Sequence, residues 1–101
     1  MTPERTALFL MANLGSEVER LLQADEVHNE SRIEKCLERA HRTLGELEQS
    51  VEMRERLPEI RTLHMVLDDF ANQTREYRVE PEELRSYFTP FALRLMEKRI
   101  Y

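Results

Sequence analysis

The stretch SRIEKCLERAHRTLGELEQSV, residues 31–51, carries the clearest helical pattern in this chain. Ser31 and Glu34 have the spacing of a capping box, in which the Ser side chain accepts the amide of the third helical residue and the Glu side chain accepts the cap amide. Apolar residues then recur at alternating steps of four and three, which keeps one helix face apolar: Ile33, Leu37, Ala40, Leu44, Leu47 and Val51. The stretch predicts a helix from about Arg32 to Gln49.

Prolines mark the candidate starts of three further helices, because proline is favoured in the first helical turn. The predicted ranges are about Pro3 to Ala24, Pro58 to Glu76 and Pro81 to Arg99. Their apolar stripes are Ala7, Met11, Leu14, Val18 and Leu21 in the first, Ile60, Leu63, Leu67, Phe70, Thr74 and Tyr77 in the next, and Leu84, Phe88, Phe91 and Leu95 in the last. Four helices of similar length with short links predict an all-α fold, a four-helix antiparallel up-down bundle forming one domain over residues 1–101.

Two positions depart from helical preference. Gly15 lies inside the first helix, where glycine costs about 1 kcal/mol relative to alanine, and we interpret it as simply tolerated. Pro90 lies inside the last helix and removes the bond to the Ser86 carbonyl, which predicts a kink. The apolar phase also changes between Val51 and Met53, so a turn is expected there, and the pattern leaves open whether the next helix begins before Pro58.

Composition favours a small globular protein that binds neither nucleic acid nor membranes. The chain has 101 residues, 41% of them hydrophobic and 35% charged, and a formal net charge of −5. A general nucleic-acid binder would carry a basic surface instead, and no apolar run approaches the ~20 residues that span a bilayer. The lone Cys36 cannot form an internal disulfide and is expected to be a small buried side chain. We therefore expect a cytoplasmic protein.

The sequence offers weak signals for chemistry. Glu38 and His41 have the Glu-x-x-His spacing of di-iron bundles, but such sites need a second pair. The other pair of an acidic residue and a His three positions later, within residues 25–28, falls in a predicted loop. Glu38 is also expected on the outer face, and His64 lacks a Ser or Cys partner at informative spacing. We predict no cofactor and no metal; the alternative is a metal-binding or hydrolytic enzyme that uses Glu38, His41 and His64.

Apolar residues expected outside the core favour an interaction role. Leu8, Phe9 and Ala12 form a contiguous group opposite the first helix's stripe, and Met65 and Leu93 are predicted to point away from the core. These five positions predict a non-catalytic protein–protein interaction or adaptor module, with a homodimer possible. Five aromatic residues lie towards the C-terminal end and could form either core or a ligand groove: Tyr77, Tyr87, Phe88, Phe91 and Tyr101.

Overall fold

The computed structural model of this chain describes residues 6–72 and 79–100, without the side chains at positions 71 and 98–100. These residues form four α-helices: α1, Ala7–Glu26; α2, Glu30–Gln49; α3, Leu57–Asn72; and α4, Pro81–Ile100. A 3-10 helix, Val51–Arg56, lies directly before α3. The described residues contain no strand, and the predicted all-α four-helix bundle is confirmed.

Helix α1 lies at the centre of the packing. It packs closely against both α2 and α4, and α2 also packs against α3, whereas the backbones of α3 and α4 stay further apart. The largest fully buried side chains come from α1, α2 and α3: Met11, Leu14, Val18, Leu21, Leu22, Leu44, Leu47, Ile60 and Leu67. The predicted stripes of α1 and α2 therefore face the core, except that Val51 is 75% exposed. Ser50, the C-cap of α2, has an extended backbone with φ of −72° and ψ of 128°, so the helix ends before Val51 and this residue leaves the α2 stripe.

Helix α1 ends in a Schellman motif, a pair of backbone hydrogen bonds that closes a helix C-terminus. The amide of Asn29 donates to the Ala24 carbonyl at 2.9 Å, and the amide of His28 donates to the Asp25 carbonyl at 3.0 Å. His28 has φ of 53°, the left-handed conformation that this motif requires. Histidine tolerates that conformation better than most side chains do, and only three residues, 27–29, connect α1 to α2.

The start of α2 corrects the predicted capping box. Asn29 is the N-cap, and its side-chain oxygen accepts the amide of Arg32 at 3.1 Å. Ser31 consequently lies inside the first turn and does not cap the helix. The prediction was wrong because the turn at His28 already places a strong capping residue two positions earlier.

The start of α1 also lies later than predicted. The Thr6 hydroxyl accepts the amide of Phe9 at 3.1 Å, so Thr6 is the N-cap. A carboxylate oxygen of Glu52, on the 3-10 helix, accepts the amide of Ala7 at 3.3 Å, at the helix end where negative charge is favoured. The cap proposed at residues 2–4 lies outside the described residues.

The boundaries of α3 and α4 bear on two predictions, where the third helix begins and whether Pro90 interrupts the last one. Helix α3 begins at Leu57, one residue before Pro58, and the 3-10 helix ends at Arg56. The predicted end of helix 3, with Thr74 and Tyr77, lies outside the described residues. Helix α4 continues through Pro90, so proline does not split it, and the kink stays a prediction.

Gly15 allows the close approach of α1 and α4. A Cβ atom added at Gly15 would lie 2.8 Å from the Cβ of Phe88, which is closer than two carbon atoms can pack. The interpretation of Gly15 as merely tolerated was therefore wrong, because the missing side chain makes room for Phe88. Next to this contact, the Arg85 guanidinium donates to Glu19 at 2.8 Å and to Glu26 at 3.2 Å.

We predict opposite effects for alanine at the two glycines. Gly15→Ala should lower the melting temperature, because displacing Phe88 costs about 1–3 kcal/mol and outweighs the gain in helix propensity of about 1 kcal/mol. Gly45→Ala should raise it, since nothing lies within 4 Å of the added atom. Thermal unfolding followed by circular dichroism measures both. Equal stabilisation by the two substitutions would contradict the close packing of α1 on α4.

A second pair of substitutions tests the start of α2. Asn29→Ala should destabilise the fold by about 1 kcal/mol through loss of the cap, which corresponds to ~4–8 °C in melting temperature for a domain of this size. Ser31→Ala is the matched control and should have little effect, because Ser31 does not cap the helix. A larger loss of melting temperature for Ser31→Ala than for Asn29→Ala would instead support Ser31 as the cap of α2.

Candidate functional site

Two of the histidines singled out from the sequence meet between α2 and α3. The Nε2 atom of His41 lies 2.6 Å from Oδ1 of Asp68, and the Nε2 atom of His64 lies 3.6 Å from Oδ2 of the same residue. The two imidazole rings are tilted by 39°, with centroids 4.8 Å apart. One ligand atom from each of the three residues lies within 4.8 Å of the other two. We call this group the His41–His64–Asp68 cluster.

Helix geometry explains how the cluster assembles. His64 and Asp68 are four residues apart on α3, a spacing that puts both side chains on one helix face. His41 follows the buried Ala40 on α2, so it lies at the edge of the core where α2 meets α3. The side chains of all three residues are 37–42% exposed. The cluster is therefore reachable from solvent while both helices hold its parts in place.

A further carboxylate contacts the cluster from α2. The Nδ1 atom of His64 lies 3.4 Å from Oε1 of Glu48. When Nδ1 carries the proton it donates to Glu48, and Nε2 is then directed towards Asp68. Glu38, the carboxylate singled out from the sequence, is exposed and does not belong to the cluster. Of the three residues in the enzyme alternative, the structure therefore brings only His41 and His64 together, and the carboxylate beside them is Asp68.

A groove of about 420 Å³ opens between α3 and α4. Its lining residues are Glu59, Thr62, Leu63 and Val66 on α3 and, from the segment 79–87, Val79, Glu83, Leu84 and Tyr87. Leu63, Val66 and Leu84 are buried, whereas Thr62 and Glu83 are exposed. The groove consequently has an apolar floor and a polar rim.

A polar contact joins the two walls of this groove. The Tyr87 hydroxyl donates to Glu59, and the Arg56 guanidinium donates to both carboxylate oxygens of Glu59, at 2.8 and 2.9 Å. Arg56 also lies over the Phe91 ring, 5.6 Å from its centroid, a cation–π distance. The hydrogen bonds from Arg56 hold the pKa of Glu59 below its ordinary value. Burial, followed by the bond to Glu59, raises the pKa of Tyr87.

The structure corrects part of the expected apolar surface. Leu8 and Ala12 are half-buried and pack against the core, and Phe9 is also half-buried. Their predicted outward direction was wrong for Leu8 and Ala12, because α1 contacts helices on two sides and buries a wider face than its stripe. Met65 and Leu93 are each 53% exposed, as expected. A partner-binding role for these five residues stays a prediction.

The aromatic residues near Pro90 divide between core and groove. Phe88 and Phe91 are buried, and Tyr87 is half-buried against the groove. Tyr77 and Tyr101 lie outside the described residues. Cys36 is buried, as expected.

Comparisons of this chain with protein families, characterised proteins and solved structures find no match. Across residues 6–72 and 79–100, no helix is long and apolar enough to cross a membrane. The described residues form a small all-α four-helix bundle, and its candidate functional features are the groove and the His41–His64–Asp68 cluster.

The Glu59 contact predicts a pH-dependent contribution to stability. The pKa of Glu59 is lower in the folded protein than the ordinary value of 4.5, so its contribution is present above the unfolded-state pKa and is lost as the pH falls through the folded-state pKa. Glu59→Gln should lower the melting temperature at pH 7, and the difference from the parent should shrink below about pH 4. Glu38→Gln, at an exposed position on α2, is the control. A difference that stays constant from pH 7 to pH 3 would contradict this assignment.

Proposed function

We propose that this chain is a non-catalytic protein-interaction module that binds an amphipathic, basic helical segment of a partner protein in the groove between α3 and α4. The observation that carries the proposal is the open apolar groove itself. Helices often bind between two helices of another protein by laying an apolar face into such a groove.

The charge around the groove supports a basic partner. Glu83 supplies an exposed carboxylate at the rim of the groove, and the whole chain has a formal net charge of −5. Opposite charge at the rim of an interface speeds association and favours the right partner. A helix that presents apolar side chains to Leu63, Val66 and Leu84, flanked by Lys or Arg, fits this arrangement.

Exposed apolar surface beside the groove supports the same proposal. Met65 is 53% exposed and lies three residues after Thr62, on a neighbouring part of the same helix side. A bound helix wide enough to cover Thr62 would therefore reach Met65. Methionine suits such contacts because its flexible side chain adapts to the shape of a partner.

The alternative occupant is a second copy of this chain, which would make the module a homodimer. A separate observation, the His41–His64–Asp68 cluster, favours metal binding at a different place on α3.

Thr62→Arg tests the groove without disturbing the core, because Thr62 is exposed at the rim. The long cationic side chain should occupy the groove entrance beside Glu59 and repel a basic helix. We expect at least a tenfold loss of affinity for a partner first isolated with the parent protein and identified by mass, measured with both proteins purified.

Gln49→Arg is the matched control, since it adds the same charge at an exposed position on α2 and should leave the affinity unchanged. Equal binding by Thr62→Arg and the parent would place the interface elsewhere. Light scattering could instead show that the parent is a dimer and that Thr62→Arg is a monomer. The groove would then bind a second copy of this chain, and the proposal of a basic partner helix would be wrong.

A further inference from the structure

We propose that the His41–His64–Asp68 cluster is a binding site for one zinc ion. Two imidazole nitrogens and one carboxylate oxygen would be the protein ligands, and the ion would join α2 to α3. The site lies on a different side of α3 from the groove, so this inference is independent of the proposed interaction role.

The donor set is the first argument. Imidazole nitrogen together with carboxylate oxygen is a common ligand combination for zinc, and sites with three protein ligands keep a fourth position open for water or another ligand. The side chains of the cluster are 37–42% exposed, which gives an ion and its fourth ligand access from solvent. A closed structural site would instead bury four protein ligands.

The distances are the second argument. Ligand atoms about 2.0–2.1 Å from a tetrahedral zinc ion lie roughly 3.3 Å from one another. The His41–Asp68 and His64–Asp68 atom pairs lie at 2.6 and 3.6 Å, and the ligand atoms of the cluster all lie within 4.8 Å of one another. Small side-chain rotations would bring these atoms to the separations that a tetrahedral ion requires.

The contact between His64 and Glu48 also fits a zinc site. A histidine that binds zinc through one ring nitrogen usually donates the other N–H to a carboxylate or carbonyl, which fixes the ring's orientation. Glu48 lies 3.4 Å from Nδ1 of His64 and can accept that proton. Nε2 is then free to bind the ion, and Glu48 acts as a positioning residue.

A simple ion pair explains less of the arrangement. One histidine is enough to pair with Asp68, and His41 does so at 2.6 Å. The second histidine is within 3.6 Å of the same carboxylate, and its ring lies 4.8 Å from the first. Two imidazoles and one carboxylate whose ligand atoms lie within 4.8 Å of one another supply a donor set that zinc accepts.

Binding of zinc should stabilise the folded chain. Residues from two helices meet at the cluster, so the unfolded chain lacks the site, and an ion that binds the folded form preferentially shifts the equilibrium towards it. The melting temperature should therefore rise with zinc concentration. At about 100 times the dissociation constant, the rise should be roughly 10 °C or more for a domain of this size.

The test is titration of the full chain, first treated with a chelator, with zinc chloride in a calorimeter. We expect one zinc ion per chain and the rise in melting temperature just described. His41→Ala and His64→Ala should each weaken binding at least tenfold. His28→Ala is the matched control: His28 lies in the turn between α1 and α2, outside the cluster, and its removal should leave the affinity unchanged.

Circular dichroism shows whether each alanine variant still folds. If one does not, Asp68→Asn tests zinc binding by the cluster, because it keeps the shape of the side chain and removes its charge. We expect it too to weaken zinc binding at least tenfold. The absence of saturable binding to the folded parent would overturn the proposal. So would an affinity that persists in folded Asp68→Asn, or one that depends on His28 as much as on His41.

Discussion

The close contact between Gly15 and Phe88 is the constraint on which the arrangement of the helices depends. Because Gly15 has no side chain, α4 can pack directly against α1, and Arg85 adds ion pairs to Glu19 and Glu26 beside the contact. Helix α4 is thus anchored on its α1 side. Its other side faces α3 across a larger separation, and the apolar groove between the two helices results from this unequal packing.

Helix α3 separates the two places where function is proposed. Leu63 and Val66 contribute to the groove next to α4, whereas His64 and Asp68 reach towards His41 on α2. Residues on different sides of one helix share its backbone but not their contacts. A change in one place can therefore be made while the other stays intact, and the two proposals can succeed or fail separately.

The helix ends show how local signals compete. Ser31 and Glu34 have the spacing of a capping box, yet Asn29 caps α2 because His28 adopts the left-handed conformation just before it. Nothing in the spacing of residues 25–30 indicates that conformation, since histidine adopts it uncommonly. Two good capping residues lay within reach, and the geometry at the end of α1 selected the earlier one.

The sequence by itself determined the number of helices, most of their apolar faces and the burial of Cys36, because the period of a helix is a local property that neighbouring residues display directly. It also singled out His41 and His64. Only the tertiary structure decided that Asp68 joins them, that Leu8 packs inward and that Gly15 accommodates Phe88. His41 and Asp68 are 27 residues apart, and contacts over such a distance depend on how one helix is rotated and shifted against another. Periodicity within a single helix carries no information about that rotation and shift.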